Sequence, residues 1–262
     1  MVIRLLGCAL VLLTIGRPAA LAGQSVHDHV AMGTAALQAR DLRTALAHYE
    51  AALAVDSTDY EANWRAAMAL LDRGQAIPGQ GKSPERDSLY ARAERLARRA
   101  VRADSSGADG HFAVAAAVGL ASLTKGKKER IRRAQVVRDE ALKALALNPH
   151  HDGAYHILGR WNAEIMRLSG LSRFFARSFL GAGIFKQASW DEAVADLQRA
   201  VAIDPGRIYH RLELAQVYAD RKQWTDARGE LARLEALPDR ELLDSLYRAE
   251  AGELARRIAD KR

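Results

Sequence analysis

One spacing recurs along this chain and restricts what it can become. Gly33 precedes Ala45 by 12 residues, and Tyr49, Ala52 and Ser57 follow at intervals of four, three and five. Ala215 precedes Ala227 by the same 12, with Leu231, Leu234 and Pro238 after it. Intervals of three and four place residues on one helical face. A small residue ahead of such a face lets a second helical backbone come close. The unit is therefore a helical hairpin, and its recurrence makes the chain a stack of hairpins. Three further units keep the second-helix pattern with longer intervals: Ala67 to Ala93 (26), Ala115 to Val137 (22) and Gly159 to Ala193 (34).

The excess over 12 shows where each unit is enlarged. In the second, Gly74–Pro84 collects glycines and prolines and is expected to be a loop. Its Gly-Gln-Gly-Lys-Ser segment lacks the glycine spacing and preceding strand of a phosphate-binding loop. In the third, the basic run Lys125–Arg133 lacks interleaved aromatics, so it is expected to extend a solvated helix. In the fourth, Leu171–Phe185 carries Phe174, Phe175, Phe179 and Phe185. It is expected to fold over its hairpin as an extra helix, or to face a partner or membrane. Asp41 is placed to cap the second helix of the first unit, and Trp190-Asp-Glu to open that of the fourth. Residues 239–260 form a final amphipathic helix that covers the last hairpin.

Residues 1–22 read as a secretory signal peptide. Arg4 precedes the apolar run Leu5–Ile15, and Ala20-Leu21-Ala22 offers a small-residue cleavage site before Gly23. Eleven apolar residues fall short of the roughly 20 needed for a membrane span. An uncleaved anchor is the alternative. The only cysteine, Cys8, lies within this segment, so residues 23–262 offer no disulfide, thiolate nucleophile or cysteine metal site. Cleavage would remove Arg4 and Arg17 and no acid, lowering the net charge from +7 to +5. An exported, periplasmic protein of a bacterial cell is expected.

The repeated pattern resembles the tetratricopeptide repeat. It implies an all-α, right-handed superhelix of about five hairpins with a C-terminal capping helix, spanning residues 23–262 as one domain. Tyr155-His-Ile-Leu-Gly-Arg-Trp161 opens the fourth hairpin, and Gly159 is expected where two helices pack tightly. The longer stretch Asn148-Pro-His-His-Asp-Gly-Ala-Tyr-His-Ile-Leu-Gly-Arg-Trp161 resembles the signature of the regulator of microtubule dynamics family, with Leu158, Gly159, Arg160 and Trp161 as its core. The likeness extends over roughly residues 58–260 through the aromatic insertion, Trp190-Asp-Glu-Ala193 and Leu237-Pro238. Asn162-Ala163 departs from the Cys-Tyr or His-Tyr common after that tryptophan. The resemblance implies a non-enzymatic interaction protein, whose animal members are associated with microtubules and organelle membranes.

First helices of stacked hairpins line a concave groove. Counted from the repeat, Trp64, Met68, Phe112, His156, Arg160, Glu164, Tyr209 and Gln216 face it. His156, Arg160 and Glu164, four apart, form a polar stripe that either pairs along the helix or uses Arg160 to hold a carboxylate or phosphate. Trp161, a quarter-turn away, belongs to the core. The Lys/Asn pattern of a C-terminal peptide clamp is absent. His150, His151, Asp152 and His156 lack metal-ligand spacing, and His27-Asp-His29 falls at an end expected to fray. No nucleophile elbow or carboxylate pair supports catalysis. No cofactor and no nucleic acid is expected. The expected activity is a scaffold binding a protein or peptide segment in the groove. The alternatives are a membrane-surface adaptor using the N-terminus or residues 171–185, and a small-molecule pocket beside that insertion.

Overall fold

A computed structural model describes residues 24–79, 83–122, 125–168 and 187–262. The signal segment and the Phe-rich insertion lie outside the described residues. Among those described, eleven α-helices and no strand occur. They are α1 (Val26–Gln38), α2 (Leu42–Val55), α3 (Tyr60–Gln75), α4 (Pro84–Ala103), α5 (Ala108–Ser122), α6 (Lys127–Leu147), α7 (Asp152–Arg167), α8 (Trp190–Ile203), α9 (Ile208–Asp220), α10 (Trp224–Glu235) and α11 (Asp244–Ile258). Each odd helix from α1 to α9 packs on the even helix that follows, which gives five hairpins, and α11 covers α9 and α10. Each first helix also meets the second helix of the preceding hairpin and the first helix of the next, so first helices stand side by side along one wall. This is the expected superhelix.

Local chemistry sets the helix starts. Asp41, Asp59, Ser83 and Ser189 each accept a backbone N–H two or three residues into the helix that follows. Ser25 and Asp28 form a reciprocal capping box. That box corrects the expectation of fraying at His27–His29: His29 is buried, with its Nδ1 3.3 Å from Nδ1 of His48.

Small residues fix the helix contacts. A Cβ on Gly33 would lie 2.5 Å from the Tyr49 ring, and one on Gly159 2.6 Å from Leu197 Cγ and 3.0 Å from the Ala193 carbonyl. The family-signature glycine is thus the point where α7 and α8 nearly touch. Leu158 and Trp161 are buried, and Trp161 Nε1 donates to the Ala134 carbonyl at 2.7 Å.

Two expected boundaries are corrected. Gly74 is not the start of a loop. It lies inside α3, seated against the Tyr90 ring, while Pro84 opens α4 at the first turn, where a missing N–H costs nothing. The surplus of the second unit is therefore mostly helix, shared between the end of α3 and the start of α4. Arg86 holds the tip, donating Nε to the Gly74 carbonyl and Nη2 to those of Ile77 and Gly79 at 2.6 Å each. The final helix starts at Asp244, later than residue 239, because the Asp244 carboxylate accepts the N–H groups of Arg240 and Glu241 at 2.7 Å and folds that approach into a turn. In the third unit α6 begins at Lys127, and its Arg133 pairs with Glu94 and Glu129.

Candidate binding groove

The polar chemistry of the concave wall gathers where the fourth hairpin meets the fifth. Asp152, in the first turn of α7, lies 2.8 Å from His210 Nε2 and also pairs with Arg207. Arg207 in turn reaches Glu241 at 2.7 Å. A carboxylate can only accept, so His210 carries its proton on Nε2 and offers the Nδ1 lone pair. His156 Nδ1, 3.1 Å away, must then be the donor, which leaves His156 Nε2 as an acceptor.

Burial dominates the titration of this chain of groups. It pushes His156 well below the ordinary histidine value, aided by His210, Arg160 and Arg207. His210 is lowered by burial, against the pull of Asp152. For Asp152 burial acts upward, but the His210 hydrogen bond and the Arg207 charge outweigh it and hold the carboxyl well below the usual range. The resting state is an ionised Asp152 with two neutral imidazoles.

Tyr209 lies edge-on to His156 with ring centroids 4.3 Å apart, and its centroid is 5.9 Å from that of Tyr247 on α11. Burial raises both phenols above the ordinary tyrosine value, so both stay protonated.

Arg160 and Glu164 do not pair with each other or with His156. Glu164 is taken by Arg167 at 2.9 Å and lies 3.7 Å from Arg130. Glu213, buried on α9, accepts from Arg167 at 3.3 Å. Arg167 also binds Asp220, and these acids drive its pKa up against burial. Arg160 only approaches Glu213, at 3.9 Å, and its side chain is 42% exposed. Among the described residues of this joint it is the least engaged cation.

On α3, Trp64 and Met68 are half-buried against the main core, with the Arg65 guanidinium 4.4 Å from the Trp64 ring. The same four-residue stripe continues to Asp72, which counting from the repeat left out. Among the described residues its carboxylate has no hydrogen bond or ion pair, and burial with the Glu241 charge raises it to about 7 despite Arg207. Asp72 in turn acts on Tyr209 and Tyr247. Charges on the second hairpin thus act on groups of the fifth and of the capping helix. The extended α3 carries Asp72 that far. Phe112 serves the junction of hairpins three and four, its ring tilted against that of His151 with centroids 4.6 Å apart. Gln216 is half-buried on α9.

Outside the groove, Tyr155, Asp196 and Arg199 line a 450 Å³ hollow. Burial and Glu192 raise Asp196 to about 7, opposed by a hydrogen bond from Asn162. Among the described residues no group of three or more His, Cys, Asp or Glu side chains could hold a metal, and no helix is long and apolar enough to cross a membrane.

Fold and wall together define a tetratricopeptide-like helical-repeat protein with a polar concave groove. The backbone matches a thermophilic tetratricopeptide-repeat protein of Thermus thermophilus with a TM-score of 0.60 at 17% identity, covering 87% of this chain and all (100%) of that one. PilF of Pseudomonas aeruginosa matches with a TM-score of 0.52 at 14% identity, over 89% of this chain and 91% of that one. Residues 30–259 match the family described as regulator of microtubule dynamics protein 1-3, and the chain belongs to that family. Regulator of microtubule dynamics protein 1 of Bos taurus is 26% identical over 208 residues, 79% of this chain and 64% of that protein. The Mus musculus protein of the same name is 25% identical over 57% of this chain and 48% of its own length. The chain thus spans less than two thirds of these relatives.

Proposed function

We propose that this chain is a non-catalytic scaffold that holds a segment of a partner protein in its concave groove. One observation carries the reading. Arg160 reaches its nearest carboxylate, Glu213, only at 3.9 Å, and Asp72 makes no hydrogen bond or ion pair among the described residues, while Asp152, Arg167, Arg207 and Glu213 are matched. A rigid, internally satisfied frame that presents unsatisfied groups suits recognition. Neutral His156 adds a hydrogen-bond acceptor, and Trp64 an aromatic surface.

Replacing Trp64 and Arg160 together by alanine should abolish crosslinking to a partner in the native cell envelope while leaving the helical circular dichroism unchanged. Capture at the wild-type level would remove the groove from the reading. The envelope is the place to look because residues 1–22 have the form of an export signal. A mature protein that begins ahead of Gly23 would count against cleavage there. The relatives are named for regulating microtubule dynamics. What we transfer from them is the scaffold role, since this chain spans only part of their length.

A further inference from the structure

The outer wall carries a feature that the groove does not use. Arg92, Arg95, Arg99 and Arg102 follow one another on α4 at intervals of three, four and three, so they share one face of that helix. Like charges at such intervals destabilise a helix. Only Arg102 lies in the last turn, where the helix dipole favours a cation. Arg92, Arg95 and Arg99 line a hollow of 360 Å³ between α2 and α4, together with Leu53, Leu96 and a single acid, Glu50. Glu50 pairs with Arg92 at 2.9 Å. Arg99 uses Nη1 to reach the Ser57 carbonyl at 3.2 Å. Arg95 is exposed and makes no hydrogen bond or ion pair among the described residues. Of the acids close in sequence, Glu94 is taken by Arg98 and Arg133 at 2.9 Å each, and Asp56 accepts from Thr58; neither lines the hollow. Three guanidiniums thus stand against one carboxylate. Both α2 and α4 are second helices, so the hollow opens on the outer face, away from the wall that the first helices build.

We propose that this hollow is a receptor for acidic side chains, so that an acidic segment of a partner protein docks on the outer face of hairpins one and two. Glu50 shows the pairing within the chain, one carboxylate already seated on one guanidinium. A second carboxylate finds the fork-shaped donors of Arg95 and Arg99 uncommitted or nearly so. Leu53 and Leu96 beside them suit the methylene stem of a glutamate. A phosphate group has no such stem and, with up to twice the charge, is repelled more strongly by Glu50. The stripe runs on to Arg102, which suits several acids in succession better than one. This surface is separate from the concave wall, and the proposal does not rest on the groove.

The test is titration of fluorescein-labelled octaglutamate with the full chain at low salt, read by fluorescence anisotropy. Arg95→Gln with Arg99→Gln should weaken binding roughly tenfold or more. Arg256→Gln with Arg257→Gln removes the same charge from exposed positions on α11 and should change it by less than about twofold, which separates a site from attraction by net charge. Glu50→Gln releases Arg92 and should tighten binding about threefold, a gain that misfolding does not produce. Thermal melts verify that the variants fold. No binding of octaglutamate, equal losses from the two arginine pairs, or weaker binding with Glu50→Gln would overturn the proposal. A loss with the Trp64/Arg160 variant but not with the Arg95/Arg99 variant would move acidic segments to the groove and overturn it as well. Capture of phosphatidylglycerol vesicles that depends on Arg95 and Arg99, with octaglutamate ignored, would give the hollow to a lipid surface in place of a protein. None of these outcomes bears on crosslinking through the groove, so the two readings fail separately.

Discussion

Asp72 and Asp152 stand on the same concave wall and have opposite fates. Asp152 opens a helix, faces an imidazole and a guanidinium, and stays ionised far into acid. Asp72 lies in the last turns of a helix, is acted on by the Glu241 charge, and has its pKa raised to about 7. Burial opposes the charge in both cases, so what separates them is the company each keeps. A helix N-terminus also favours a carboxylate, and a C-terminal turn does not. The junction of hairpins four and five is a finished structural joint. Near the end of α3, Asp72 makes no hydrogen bond or ion pair among the described residues, and of the charges acting on it only Arg207 favours its ionised form.

The comparison can be broken most directly at the joint. Asp152→Ala strands the His210 donor and leaves Arg207 to Glu241 and Asp204, and should cost up to about 3 kcal/mol in denaturant-induced unfolding. A loss under about 1 kcal/mol would mean that the network contributes no more than a surface pair. Asp72→Asn should do the reverse. A folded-state pKa raised above the unfolded value contributes stability that is present at low pH and lost as pH rises through the folded value. The native chain should therefore lose stability relative to Asp72→Asn by up to about 3 kcal/mol between about pH 5 and about pH 8. Water reaching one side of the carboxyl makes this an upper value. A pH-independent difference between the two chains would erase the contrast. Asp196→Asn should show the same sign in the same pH window at a smaller size, because Asp196 lines an open hollow that water reaches. An effect as large as that at Asp72 would show that access of water does not separate the two carboxyls.

Much of this architecture is visible in the residues alone, for a physical reason. Helix pairs that approach closely need small side chains at fixed intervals, so Gly33 with Ala45 and Gly159 with Ala193 announce their hairpins. The second unit is less legible because Gly74 and Pro84 are breakers in isolation. Here one is a notch for Tyr90 and the other a first-turn proline, and both belong to helices. Asp72 lies four residues after Met68 and so continues the stripe, but nothing in the spacing marks its carboxylate as one without a partner. The joint was hidden differently. Asp152 meets Arg207 and His210 across 55 and 58 residues, and Arg160 finds Glu213 where a local pairing with Glu164 was equally open. Spacing reveals neighbours along a helix, but it does not choose among partners brought in by the stacking of hairpins.

The aromatic contacts between hairpins have a direction. Tyr60 of α3 lies against Gly110 of α5 and accepts its N–H at 2.8 Å, and Phe112 of α5 fills the space that a Cβ on Gly153 of α7 would enter at 2.7 Å. In both, the ring belongs to the earlier hairpin and the notch to the later one. During synthesis each ring emerges first and stays wet until the next hairpin arrives, so assembly is pulled forward along the chain. Shortening from the front leaves empty notches at little cost, whereas shortening from the back leaves bare rings.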